Sequence, residues 1–109
     1  METIHSLQEF EQVLADQDAV LAYFSTEACS VCKVLKPKVS ELITETFPLM
    51  KMVYVESDKL AELAAQNRVF VAPTVIIFFA GRETIRKSRA FGLEELRSEI
   101  QRPYSLMFE

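Results

Sequence analysis

Apolar and polar positions follow two rhythms along this chain, one helical and one of continuous apolar runs. Leu7, Phe10, Val13 and Leu14 recur at helical spacing. Ser6-Leu7-Gln8-Glu9 fits a capping box, with Ser6 as N-cap and Glu9 reaching back to its N–H, so a first helix is predicted to end near Gln17. Residues 2–5 fit a short preceding strand. Ala19–Ser25 is a nearly continuous apolar run, the mark of a strand covered on both faces. From Cys32, a helical stripe follows through Val34, Leu35, Val39, Leu42, Ile43 and Phe47. Pro37 lies inside that stripe and must free a carbonyl near Lys33, so a kink is expected.

Residues 50–55 read as the next strand, and 58–67 as a helix with Leu60, Leu63 and Ala64 facing inward. Thr74–Phe79 is a second fully buried strand, closed by Ala80-Gly81 as a turn into Arg82–Ser88. Gly92 introduces a last helix with Leu93, Leu96 and Ile100 on its apolar face, and Pro103 is expected to stop it. The order is β-α-β-α-β-α-β-β-α. Buried strands joined by helices call for parallel pairing with helices on both faces, and the Gly81 hairpin adds an antiparallel edge. The expected class is α/β, with a central mixed sheet of four to five strands flanked by about four helices.

A chain of 109 residues, half of them apolar, is expected to form one domain over 1–102 with an apolar tail at 103–109. Exposed, Tyr104, Leu106, Met107 and Phe108 of that tail would make a sticky patch, so they are expected to dock. A net charge of −4 argues against nucleic acid as a partner. The basic run at 82–89 reads most simply as a solvated edge strand. The first ten residues lack the basic and apolar regions of a secretion signal. The longest apolar run, 69–80, is interrupted by Pro73 and too short to cross a bilayer. A soluble, cytoplasmic protein with no membrane partner is therefore expected.

The only two cysteines fall in Cys29-Ser30-Val31-Cys32, between a buried strand and a helix. Spaced at i and i+3 from a helix start, one sulfur is exposed and the other tucked beneath it. Free N–H groups and the positive dipole end stabilise a thiolate there. This spacing beside a βαβ pattern reads as a dithiol redox site. A closed zinc site needs four N or S ligands, and this chain offers two cysteines and a distant His5. Lys33 and Lys36 could support the thiolate field or be ordinary solvated helix charges, and Tyr23 reads as a core aromatic.

With Cys29-Ser30-Val31-Cys32-Lys33 opening a helix, Pro37 within it and Val71-Ala72-Pro73-Thr74 opening a later strand, residues 2–102 resemble the thioredoxin family. The resemblance implies the thioredoxin fold and a thiol–disulfide oxidoreductase. Cys29 would be the attacking nucleophile and Cys32 the resolving thiol. Pro73 would follow a cis bond, with the Ala72 backbone pairing to an extended substrate. Several positions depart from the family pattern. Ala28 stands for a tryptophan, Ser30-Val31 for Gly-Pro, Tyr23 for a buried aspartate, Tyr54 for a lysine, and Arg89 for a glycine beside the substrate edge. The implied partners are a protein or small-molecule disulfide and a thiol or reductase donor. No cofactor is implied, because the dithiol itself carries the two electrons. The alternative reading is a thioredoxin-fold binding module with little or no redox activity.

Overall fold

The computed structural model describes residues 1–109. Its elements are β1 (Glu2–Thr3), α1 (Leu7–Asp16), β2 (Ala19–Ser25), α2 (Ser30–Thr46), β3 (Lys51–Glu56), α3 (Ala61–Gln66), β4 (Thr74–Phe79), β5 (Arg82–Ser88) and α4 (Leu93–Phe108). The five strands form one mixed sheet in the order β1-β3-β2-β4-β5. β2 is central, and all seven of its residues are buried, which is why its sequence carries no polar alternation.

Strand alternation sends neighbouring side chains to opposite faces, and each face has its own core. Leu21, Tyr23, Val75 and Ile77 pack with Val39, Ile43 and Phe47 of α2 and Leu96, Ile100 and Tyr104 of α4. Val20, Ala22, Phe24, Ile76 and Phe78 meet Phe10 of α1 and Leu63 and Ala64 of α3 on the other side. The two-residue turn at Ala80 and Gly81 has positive φ at both positions, 54° and 77°, the twist that a tight hairpin requires.

The direction of β4 departs from the sequence reading. β2 and β3 are parallel, but β4 runs antiparallel to β2, with Phe24 opposite Thr74. The chain does not recross the sheet after β3: Thr74 starts β4 opposite Phe24, next to Ser25, which faces Glu56 at the end of β3. That reversal sets the start of β4 beside the end of β2, where the cysteine pair lies.

Other boundaries also shift. Glu9 accepts the His5 N–H at 3.0 Å rather than that of Ser6, while the Ser6 hydroxyl accepts the Glu9 N–H at 3.0 Å. Residues 57–60 form a turn on the Glu56 carbonyl before α3 begins at Ala61. Arg68, at φ 56°, closes α3 in the left-handed conformation, and the Val69 N–H returns to the Ala64 carbonyl at 2.9 Å. α2 runs on through Pro37.

Pro103 does not stop α4, which continues to Phe108. Aromatic packing holds the extension: the Tyr104 ring lies 4.9 Å from Phe47 and 4.7 Å from Phe108. The Tyr104 hydroxyl also accepts the Leu49 N–H at 3.0 Å. Leu106, 76% exposed, points away from this contact.

Candidate active site

The loop after β2 ends in Cys29, which is the N-cap of α2. Cys29 and Cys32 are joined as a disulfide, with Cα atoms 5.3 Å apart. The Cys29 Sγ also accepts the Cys32 backbone N–H at 3.1 Å, the role an oxygen plays in an ordinary N-cap. The two sulfurs differ in access. Cys32 is 1% exposed and belongs to the core, whereas Cys29 is half-buried at the surface.

Beneath Cys32 lies a stack of aromatic groups. The Tyr23 hydroxyl donates to the Cys32 carbonyl at 2.7 Å, its ring stacks on Tyr54 at 6.1 Å, and Lys36 Nζ sits 3.7 Å above the Tyr54 ring. Burial, with a smaller contribution from Tyr54, pushes the Tyr23 phenol up to about 12. At neutral pH Tyr23 is thus a fixed hydrogen-bond donor to backbone and not a proton acceptor. Lys36 is occupied by the ring, an attraction of electrostatic origin.

Ala72 and Pro73 are joined by a cis peptide bond at the start of β4. The Pro73 carbonyl accepts the Arg89 N–H at 2.8 Å, which brings the end of β5 to the same place. Arg89 has φ 62°, a conformation that favours glycine, and its guanidinium has no carboxylate partner. Cys29, Val31, Ala72, Pro73 and Arg89 line one groove of about 390 Å³. All five residues singled out from the sequence therefore meet at one end of the sheet, Cys32 lying below the other four.

The rest of the basic run is committed elsewhere. Arg86 pairs with Glu83 at 2.7 Å and donates to the Asn67 and Arg68 carbonyls at 2.7 and 3.1 Å, capping the end of α3. Lys87 bridges Glu95 and Glu99 of α4. The carboxylates hold the Lys87 ammonium above its ordinary range, and Arg86 holds Glu83 below its own.

On the other side of Cys29 is a larger cavity, of about 560 Å³, that the sequence reading did not anticipate. Ala28, Ala61, Ala65, Phe70 and Ala72 are among its lining. The signal available was the run of alanines on α3, which leave room where larger side chains would fill it.

A dithiol on the first turn of a helix that follows the central strand, set against a proline that opens the neighbouring strand, defines a thiol–disulfide exchange site on an α/β scaffold. The thioredoxin family model matches residues 2–102. The chain is 29% identical over 106 residues to the thioredoxin-like protein YdfQ of Bacillus subtilis, covering 97% of this chain and 94% of that one. It is 28% identical over 78 residues to thioredoxin-1 of Saccharomyces cerevisiae, covering 72% and 75%. The structure of Fasciola hepatica thioredoxin superposes with a TM-score of 0.83 at 27% identity, over 94% of this chain and 98% of that one. The chain belongs to the thioredoxin family, and its Cys29–Cys32 pair makes it a thiol–disulfide oxidoreductase. No helix is long and apolar enough to cross a membrane.

Proposed function

We propose that Cys29 is the nucleophile and Cys32 the resolving thiol of this oxidoreductase, acting on protein disulfides in the cytoplasm. In the reduced protein the Cys29 thiolate attacks one sulfur of a substrate disulfide. The other substrate sulfur leaves as a thiolate and takes a proton. Cys32, having lost its proton, then attacks the Cys29 sulfur of the mixed disulfide. The second substrate thiol departs, and the Cys29–Cys32 disulfide forms. Two electrons and two protons pass to the substrate; the reverse sequence oxidises a dithiol, and the relative reduction potentials set the direction.

The observation that carries these roles is the N-cap geometry. The Cys32 N–H, 3.1 Å from Cys29 Sγ, is aimed at the sulfur that would bear negative charge, at the positive end of a 17-residue helix. The burial of Cys32 supports its reaction within the pair rather than with substrate. Ala72, Pro73 and Arg89 are assigned to the substrate edge, because their groove opens on Cys29. A cycling pair rather than a lasting structural one suits a reducing compartment, which supports the cytoplasmic assignment.

The test is reduction of insulin disulfides with dithiothreitol as donor. The protein should accelerate it, and Cys29→Ser should not. The binding-module reading draws on Ala28, Tyr23 and Arg89, which depart from the family's usual residues; it predicts that the intact protein and Cys29→Ser behave alike.

A further inference from the structure

Cys32 must lose a proton before it can resolve a mixed disulfide, yet it is buried in the core. Apolar surroundings raise the cost of a thiolate there. The charged and titratable groups near the pair fall into two sets. Glu27, Asp58 and Arg89 are exposed and lie on the Cys29 side, Asp58 and Arg89 lining the two cavities that open on that sulfur. Around Cys32, β2 presents Tyr23 and β3 presents Tyr54, while Val75 of β4 and Leu96 and Ile100 of α4 do not titrate. No carboxylate is among the buried side chains, and the Tyr23 proton is engaged by the Cys32 carbonyl. Cys32 therefore has no fixed base beneath it. A cation is held there instead.

We propose that Lys36 is a positioning residue for the resolving step, its ring-held ammonium stabilising the Cys32 thiolate by charge. The inference rests on the assignment of Cys32 as the resolving thiol. Lys36 follows Cys32 by one turn of α2, and residues four apart share a helix face. Side chains on a helix lean toward its N-terminus, so the lysine stem runs back toward the cysteine pair. Its Nζ rests 3.7 Å above the Tyr54 ring, which stacks on Tyr23, whose hydroxyl holds the Cys32 carbonyl at 2.7 Å. The ring fixes the ammonium without neutralising it, and no carboxylate pairs with it. Lys36 is half-buried, so its field is screened less than that of the exposed Lys33. In the step itself the Cys32 proton passes to water and the Cys32 thiolate bonds to the Cys29 sulfur. The bond from Cys29 to the substrate sulfur breaks, and the substrate leaves as a thiolate. Lys36 neither takes nor gives a proton; it lowers the energy of the charge that Cys32 bears before attack.

The experiment mixes the fully reduced full chain with one equivalent of dithiobis-nitrobenzoic acid by stopped flow and follows the coloured thiolate released. Attack by Cys29 releases the first thiolate and closure by Cys32 the second, so the steps appear as successive phases, the second independent of concentration. Lys36→Met should slow the second phase about three- to tenfold at pH 7 and move its pH midpoint up by as much as about one pH unit. Well above that midpoint the two proteins should converge, because Cys32 is then ionised in both. Lys36→Arg keeps a cation over the ring and should stay within about twofold of the intact protein. The first phase should change less than the second. A second phase with unchanged rate and midpoint in Lys36→Met, equal slowing of both phases, or equal slowing by Met and Arg overturns the role of Lys36. Release of only the first equivalent of thiolate by the intact protein overturns instead the assignment of Cys32 as resolving thiol.

Discussion

The Tyr23 hydroxyl donates a 2.7 Å hydrogen bond to the carbonyl of Cys32, tying the buried centre of β2 to the first turn of α2. Its phenol is raised to about 12 by burial, and this bond holds its proton. Below pH 10 the folded and unfolded states both keep that proton, and the stabilisation of the neutral phenol is fully present. Between pH 10 and 12 the unfolded chain loses it first, so stability falls as pH rises, by about 1.4 kcal/mol per pH unit at the steepest. Tyr23→Phe should cost about 1 kcal/mol at pH 7 and remove this part of the alkaline slope. Urea midpoints of both proteins between pH 7 and 11 are the measurement. Parallel slopes would mean that Tyr23 does not carry the alkaline transition.

Arg89 holds an unfavourable positive φ of 62° beside the Ala72–Pro73 edge, with its charge unpaired. Arg89→Gly should leave stability unchanged or raise it by up to about 1 kcal/mol, relief of the backbone offsetting the added chain entropy. It should also slow exchange with acidic disulfide peptides severalfold at low salt, an effect that fades as the Debye length shortens below about 8 Å. Rates with acidic and basic peptides across a salt series decide it. Equal rates at every salt concentration would assign Arg89 to solvent.

Arg86 is a structural residue by the same geometry that frees Arg89. Removing it leaves the Asn67 and Arg68 carbonyls and Glu83 without their shared partner. Arg86→Ala should cost about 1–2 kcal/mol, since these bonds are partly solvated, and leave insulin reduction unchanged at 25 °C. Arg86→Lys should recover little, because a point charge cannot span the carbonyls and carboxylate together. Urea midpoints read alongside the insulin assay separate the two effects.

Much of this fold was legible because apolar periodicity reports burial directly. Ala19–Ser25 and Thr74–Phe79 read as strands buried on both faces, and both are. The direction of β4 was not legible, because a buried run looks the same in either orientation. Its direction is set by where the chain re-enters the sheet after α3, and the helix expected at 58–67 takes in residues 58–60, which lie in a turn before α3 begins at Ala61. Pro103 misled for a related reason: local preference ends a helix there, but the rings of Phe47, Tyr104 and Phe108 carry it on.

The cysteine pair was visible from spacing alone, and Ala72, Pro73 and Arg89 from resemblance. The partners of the basic run were not, because Arg86 and Lys87 find theirs through contacts with α3 and α4 that no local pattern encodes. The alanine cavity escaped for the opposite reason. Small residues leave no periodic signal of the space they create, and Ala28 is far in sequence from the Ala61, Ala65 and Ala72 that it meets around the cavity.

Unequal access and environment of two sulfurs only three residues apart in sequence are central to the proposed chemistry. Full reduction, followed by iodoacetamide at neutral pH and quenching over a time course, allows each cysteine's modification to be mapped by mass. Cys29, half-buried at the helix N-terminus, should be alkylated at least about tenfold faster than Cys32, which is 1% exposed. Equal rates, or faster labelling of Cys32, would contradict the assignment of Cys29 as the attacking thiol.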